Sequence, residues 1–273
     1  MEVLKLDGLD LFSGIGGNSL ALSEWVNVNA YCEQDSFAQS VLLSNMQRGL
    51  LPHRPIWDDV RTLTGSIVGD IDIITAGFPC QNISVAGNGE GLAGKQSGLF
   101  YEIVRVTKEI NPTFVFLENV PAIRTRGLSE IVRTFTDLRY ECRWTCVSAA
   151  EVGAPHLRKR WFLLAYSHSN YLRKKSRGSC GTEDGKTTVF PRHDGEVRNV
   201  TDTNGIGSRQ GRKESNLRQR ESHSEWDSRR QIKPTICGSD DVVPNRVDRI
   251  KCLGNAVVPA QAKEAFCRLM GLK

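Results

Sequence analysis

Three short segments carry side chains that could do chemistry together. In "AGFPCQNIS" (76–84) a single cysteine, Cys80, follows an apolar run and a proline, and precedes a loop with glycines at 87, 89, 91, 94 and 98. A thiol attacks as its thiolate, and from an ordinary pKa of about 8.5 it needs a nearby cation, a helix N-terminus or a desolvated geometry to act as a nucleophile. In "FLENV" (116–120) Glu118 and Asn119 stand at the end of another apolar run. A carboxyl group partly withdrawn from water gains a raised pKa and can donate a proton. In "GAPHLRKRWF" (153–162) Arg158 and Arg160 stand two positions apart entering a third run, so a strand there shows both on one face. Singly, each has a plainer reading: an ordinary strand-end cysteine, a helix-capping glutamate, surface ion pairs. Together, at successive strand ends, they favour a site for covalent catalysis.

A fourth segment reads as a place for a cofactor. "DLFSGIGG" (10–17) follows a strand-like run and opens a helix-like one, so its glycines permit a tight turn and close approach of a ligand to backbone N–H groups. The spacing is shorter than the dinucleotide GxGxxG, which argues against a nicotinamide dehydrogenase. Phe12 could pack against a flat ring. Glu33 lies 19 residues after Gly14, at the end of the second candidate strand, where a carboxylate accepts from ribose hydroxyls; Asp59, in "IWDDVRTL", follows the next strand and could accept from an adenine amino group. Their order points to an adenosine-bearing cofactor.

Such residues need a sheet to aim them. Short apolar runs alternate with helix-like stretches up to residue 166, the pattern of an α/β domain with a largely parallel sheet. "LKLDGLDLF", "NAYCEQD", "DIDIITAGF", "TFVFLENV", "RWTCVSAAEV" and "RWFLLAY" read as strands. "SGLFYEIVRVTKEI" reads as a helix with Ser97 as N-cap, Phe100, Ile103, Val104 and Ile110 on one face, and Pro112 closing it. Between Ser167 and Lys233 only 11 of 67 residues are apolar, no helical or strand period persists, and 15 Lys and Arg face 9 Asp and Glu, a surplus larger than the +5 of the whole chain. This segment reads either as a solvated, loosely ordered insert or as one whose fixed structure leans on the main domain or on a ligand, with a surface suited to phosphates. Globular patterning returns near 242, ending in a helix with Pro259 in its first turn and Ala262, Ala265, Phe266 and Leu269 facing a core. The expected division is a cofactor-binding and catalytic domain at 1–166, an insert at 167–241, and a segment at 242–273 that completes the first domain.

Composition narrows the class. The longest apolar runs are far shorter than a membrane span, and "MEVLKLDGLDLF" does not read as a signal peptide, so the expectation is a soluble, intracellular protein. The eight cysteines form no CxxC pair and meet no histidine cluster, so reduced thiols and no metal are expected.

"DLFSGIGG", "GFPCQNIS", "ENV", "LRKR" and "LGNAVVP" stand in the order and spacing of the DNA cytosine-5 methyltransferases, and over 8–166 and 242–269 the sequence resembles that family. The resemblance implies an α/β fold, a Rossmann-like S-adenosylmethionine-dependent methyltransferase sheet, with a small, irregular target-recognition domain in 167–241. It implies S-adenosyl-L-methionine bound by Phe12, Ser13, Gly14, Gly16, Gly17, Glu33, Asp59, Val60, Pro79 and Leu99, with Asn255, Ala256 and Val257 closing the pocket. The target cytosine is flipped out of duplex DNA; Cys80 adds to its carbon 6, Glu118 protonates or hydrogen-bonds ring nitrogen 3, Arg160 holds the base carbonyl, and Arg158 orders the site. Gln81, Ser84 and Asn119 are expected at the DNA, and the loop 82–98 closes from one groove. The implied enzyme acts as a monomer on DNA, without metal, in the cytoplasm of a bacterial or phage-infected cell, in restriction-modification or a related role. The family's RNA-directed offshoot shares the Cys and Glu, but the "GFPCQNIS" context and basic insert favour DNA. A DNA-binding regulator derived from the family typically loses the Cys or the glycines, and neither is lost here. His156 stands where many relatives carry glutamine.

Overall fold

Apolar residues alternate with Asp7, Gly8 and Asp10 along Leu6–Leu11, and this run forms β1, whose last four residues are all buried. The computed structural model describes residues 5–79, 98–176 and 246–272. After β1 the chain runs through α1 (Gly17–Ala21), β2 (Val26–Cys32), α2 (Ser36–Gln47), β3 (Ile56–Trp57), α3 (Gly65–Val68) and β4 (Ile73–Ala76). Then come α4 (Gly98–Ile110), β5 (Phe114–Asn119), α5 (Ile123–Arg126), α6 (Leu128–Asp137), β6 (Glu141–Ser148), β7 (Lys159–Tyr166), α7 (His168–Ser176), α8 (Arg246–Asn255) and α9 (Pro259–Met270).

The strands form one sheet in the order β3-β2-β1-β4-β5-β7-β6. β1 to β5 pair in parallel, as buried α/β strands with helical crossovers do. β7 runs antiparallel to both β5 and β6. The α/β expectation is therefore met, with one reversed strand that the apolar pattern alone does not reveal. The strand order turns back between β1 and β4, which opens a crevice at their carboxyl ends where ligands of such sheets bind.

Helices cover both faces of the sheet. On one side Phe100, Ile103, Val104 and Val106 of α4 and Ile131 and Phe135 of α6 pack with Leu9, Leu11, Ile74, Val115 and Leu117. On the other, Ala262, Ala265, Phe266, Leu269 and Met270 of α9 pack with Val28, Ile73, Phe116 and Phe162. Phe266 crosses Phe116 edge-on, with ring centroids 5.5 Å apart. Burying a side chain of this size contributes about 1.5–3 kcal/mol, so α9 anchors the chain's last stretch to the first domain. Pro259 opens α9 and Gly271 closes it in the left-handed conformation, φ 70°.

The structure departs from the sequence pattern at α7, which occupies the start of a segment expected to lack periodic structure. Polar anchoring replaces an apolar stripe there: the Asn170 side chain donates to the Pro112 carbonyl at 3.1 Å and to the Tyr140 hydroxyl at 3.0 Å. The predicted N-cap Ser97, residues 177–241 of the insert and the first residues of the C-terminal segment, 242–245, lie outside the described residues. Among the described residues no helix is long and apolar enough to cross a membrane.

Candidate active site

The turn after β1 is built on left-handed conformations at three alternate positions, Phe12 (φ 53°), Gly14 (φ 55°) and Gly16 (φ 88°). A phenylalanine in that region is strained by roughly 1–3 kcal/mol, and such strain gathers where a surrounding structure fixes a functional loop. The fixing contacts are Ser13 and Glu33. Ser13 donates its N–H to the Cys32 carbonyl at 3.1 Å and its hydroxyl to the Asp10 carbonyl at 2.7 Å. Glu33, just past β2, accepts from the Gly14 N–H at 2.7 Å on one oxygen and from the Asp35 N–H at 2.8 Å on the other. Each carboxylate oxygen can accept more than one hydrogen bond, so Glu33 can hold the turn and still take a hydroxyl donor.

The C-terminal segment lies directly over this turn. A Cβ on Gly17 would stand 2.6 Å from Val257 Cγ1 and 3.1 Å from the Val257 carbonyl, so only glycine lets Val257 come this close. Arg158 holds the same segment from β7's entrance, its Nη2 donating to the carbonyls of Gly254 at 2.9 Å and Ala256 at 2.5 Å. Burial is the main cause that pulls the Arg158 pKa down, with Arg160 acting in the same sense and Glu118 against it. Gln261, from the first turn of α9, adds hydrogen bonds to the carbonyls of Val147 at 2.9 Å and Arg158 at 2.6 Å. Ala256 and Val257 are half-buried and Asn255 is exposed at the end of α8.

At the carboxyl end of β5, Glu118 is 8% exposed. Its Oε1 accepts from Arg160 Nε at 3.0 Å. Burial raises its pKa from an ordinary 4.5 to about 7, with Arg160 and then Arg158 pulling the other way. A carboxyl poised there holds its proton at neutral pH yet can release it, the requirement for a general acid. Its neighbour Asn119 points to the opposite face of β5, as alternation demands. Asn119 is 3% exposed, donates to the Phe78 carbonyl at 3.2 Å and accepts from the Val120 N–H at 2.8 Å. Expected at the DNA, Asn119 is thus committed to the protein, where it ties the end of β5 to the segment that leads from β4 to Pro79.

Not every expected cofactor residue is brought to the crevice in the same way. Phe12 and Leu99 are partly buried against the α4-side core and Pro79 is half-buried. Val60 is 5% exposed, its side chain inside that core and its carbonyl accepting from Arg105 at 2.8 Å. Asp59 accepts from Arg61 Nε on both oxygens, at 2.9 and 3.0 Å, and that contact is the leading cause of its lowered pKa. Cys80, Gln81 and Ser84 lie outside the described residues.

A buried polar group beneath the turn was not singled out by the sequence pattern. Asp10, wholly buried in β1, accepts from the Ser19 hydroxyl of α1 at 2.6 Å and from the Thr75 hydroxyl of β4 at 2.5 Å. Burial lifts its pKa to about 6, chiefly against these two hydrogen bonds. The signal available in sequence was an aspartate inside an apolar strand, which needs hydroxyl partners close by.

Known proteins resemble this chain in sequence and fold. The model of the family described as C-5 cytosine-specific DNA methylase matches residues 6–240. Type II methyltransferase M.CviJI of Paramecium bursaria Chlorella virus IL3A is 39% identical over 159 residues, 58% of this chain and 42% of that protein. Type II methyltransferase M.HhaI of Haemophilus parahaemolyticus is 31% identical over 170 residues, 60% of this chain and 50% of that protein. The match thus spans half or less of these relatives' lengths. Among solved structures, a prophage-encoded E. coli protein assigned as a DNA modification methyltransferase is 27% identical, with a TM-score of 0.51 over 68% of this chain and 53% of that one.

Proposed function

The chain belongs to the C-5 cytosine-specific DNA methylase family, and from that premise we propose that it transfers a methyl group from S-adenosyl-L-methionine to carbon 5 of a cytosine flipped out of duplex DNA. The observation that carries the reading is Glu118: a buried carboxyl with a pKa of about 7, gripped by Arg160 at 3.0 Å, at the strand end beside the segment leading to Cys80.

The residues present fit the cofactor. Glu33 has acceptor capacity left over for ribose hydroxyls, Phe12 offers a ring at the turn, Asp59 offers acceptors beyond β3, and Val257 packs onto the glycines. When bound, S-adenosyl-L-methionine supplies an electrophilic methyl group; the chain must make carbon 5 of cytosine, a poor nucleophile, able to take it.

In the proposed reaction Cys80, as thiolate, forms a bond to carbon 6 while Glu118 delivers its proton to ring nitrogen 3. The electron pair of the 5,6 double bond is then available at carbon 5, where the cofactor, when bound, would supply its methyl group, the methyl–sulfur bond breaking and S-adenosylhomocysteine being left. Water takes the carbon 5 proton, the electron pair of that C–H bond re-forms the 5,6 double bond and expels the thiolate, and nitrogen 3 returns its proton to Glu118. Arg160 holds Glu118 and, in this reading, donates to the base carbonyl. Arg158 acts by keeping residues 254–256 over the cofactor turn. The positive surplus of 167–233 suits contact with DNA phosphates, which fix register while a few base-edge contacts supply specificity.

Bisulfite sequencing of DNA from cells expressing the chain tests activity and reads the target at once. Converted cytosines throughout, as in cells without the chain, would overturn the reading. Cys80→Ser is expected to abolish both protection from bisulfite and the covalent complex with DNA containing 5-fluorocytosine. Methyl incorporation into transfer RNA with none into duplex DNA would instead move the activity to the RNA-directed branch.

A further inference from the structure

The backbone and the side chain of Glu33 are fixed by different means. Its N–H donates to the Trp57 carbonyl at 2.9 Å and its own carbonyl accepts from Gln39 Nε2 at 2.6 Å, which ties the backbone to β3 and α2. Of the two carboxylate oxygens, Oε2 accepts from the Gly14 N–H at 2.7 Å and Oε1 from the Asp35 N–H at 2.8 Å. The second bond carries a conflict of charge, because the residue that donates it has a carboxylate of its own. Two like charges meet around one peptide N–H, and their repulsion acts against the bond.

Asp35 joins three elements. Its N–H holds Glu33, just past β2, and its Oδ1 caps α2 by accepting from the N–H groups of Phe37 at 3.0 Å and Ala38 at 3.1 Å. Its Oδ2 accepts from Lys251 Nζ at 2.5 Å. Lys251 stands on α8, 216 residues later in the chain, and its hydrogen bond is the leading cause that holds the Asp35 carboxyl below the usual range. The side chains of the pair are 57% and 30% exposed, and an exposed ion pair contributes little to stability. The end of α8 is fastened separately, by Arg158 on the Gly254 carbonyl. What Lys251 adds is a positive charge on Asp35; among the described residues no second cation pairs with it.

We propose that Lys251 is a positioning residue of the cofactor site: by neutralising Asp35 it lets the Asp35 N–H hold Glu33 Oε1, and so keeps the Glu33 carboxylate set for the ribose. Lys251 acts through Asp35 and touches no part of the cofactor. The proposal rests on the S-adenosyl-L-methionine reading above, and its test separates the two. In calorimetric titration with S-adenosylhomocysteine, Lys251→Ala is expected to weaken binding about fivefold or more. Its unfolding temperature should move by no more than about 2 °C. Adding Asp35→Asn, which keeps the cap acceptor and the N–H but removes the charge, should return the affinity to within about twofold of the unaltered chain. In a Glu33→Gln background, where no second carboxylate is repelled, Lys251→Ala should cost nothing further. Should Lys251→Ala fail to fold, Lys251→Gln, which keeps most of the stem without the charge, carries the same comparisons. Unchanged affinity on loss of the charge overturns the proposal. So does a loss that Asp35→Asn leaves unrelieved, or one that persists in full beside Glu33→Gln, because either result means that Lys251 serves only to dock α8. If the unaltered chain does not bind S-adenosylhomocysteine, the cofactor reading itself fails, and the Lys251 proposal with it.

Discussion

Glu118→Gln should make the protein more stable at pH 8 and almost inactive. The folded carboxyl titrates at about 7 against an ordinary 4.5. At about 1.36 kcal/mol per pH unit, ionising it inside the fold costs about 3 kcal/mol. Because the folded pKa is the higher one, this cost is absent below pH 4.5, grows as pH rises toward 7, and is constant above. Glutamine keeps an acceptor for Arg160 Nε but never ionises. The unaltered chain should therefore lose about 2.5 kcal/mol relative to Glu118→Gln between pH 5 and pH 8. Urea unfolding of both at pH 5, 6, 7 and 8 measures it, and all other titrating groups cancel in the difference. A stability difference that stays flat across this range would refute the burial argument, whatever the activity. The rate carries the complementary sign: the acid works protonated, so methyl transfer should decline above about pH 7, and loss of a general acid typically costs 10²–10⁴-fold.

Other perturbations reach the remaining parts of the site. Arg158→Ala removes two charge-assisted hydrogen bonds to the carbonyls of 254 and 256; thermal unfolding should report a loss of about 2–3 kcal/mol, with S-adenosylhomocysteine affinity falling in parallel because Val257 no longer covers Gly17. Glu33→Gln weakens an acceptor shared by the Gly14 N–H and the proposed ribose, and titration calorimetry should find cofactor binding reduced about 10- to 100-fold. Thr75→Val deprives Asp10 of one of its two donors. It should destabilise by about 1–3 kcal/mol, more at pH 8, where Asp10 is ionised, than at pH 5; an equal loss at both would mean that the hydroxyl packs rather than bonds.

Much of this site could be read before any coordinates, because parallel strands announce themselves as short apolar runs and put their ligands at the carboxyl ends. That logic located Phe12, Glu33 and Glu118. It failed where a residue's role depends on a partner distant in sequence. Nothing near Arg158 indicates that it grips carbonyls 96 and 98 residues later. Asn119 shares a motif with Glu118 but faces the other way, and only the pairing of β5 with β7 decides which of the two meets the crevice. Antiparallel β7 is set by the connection from β6, not by its own composition.

The contacts at α7, α8 and the entrance of β7 also bear on how such a chain can diversify. Asn170 pins α7 to Pro112 and Tyr140, while Lys251 pairs with Asp35 at 2.5 Å and Arg158 holds residues 254–256. The exit to the stretch after Ser176 and the return at Arg246 are therefore both fastened to the catalytic half by groups that lie outside that stretch. For a segment closed at both ends, each doubling of length costs only about 0.6 kcal/mol. Replacement or resizing of the intervening residues can thus leave the contacts of Asn170, Lys251 and Arg158 in place.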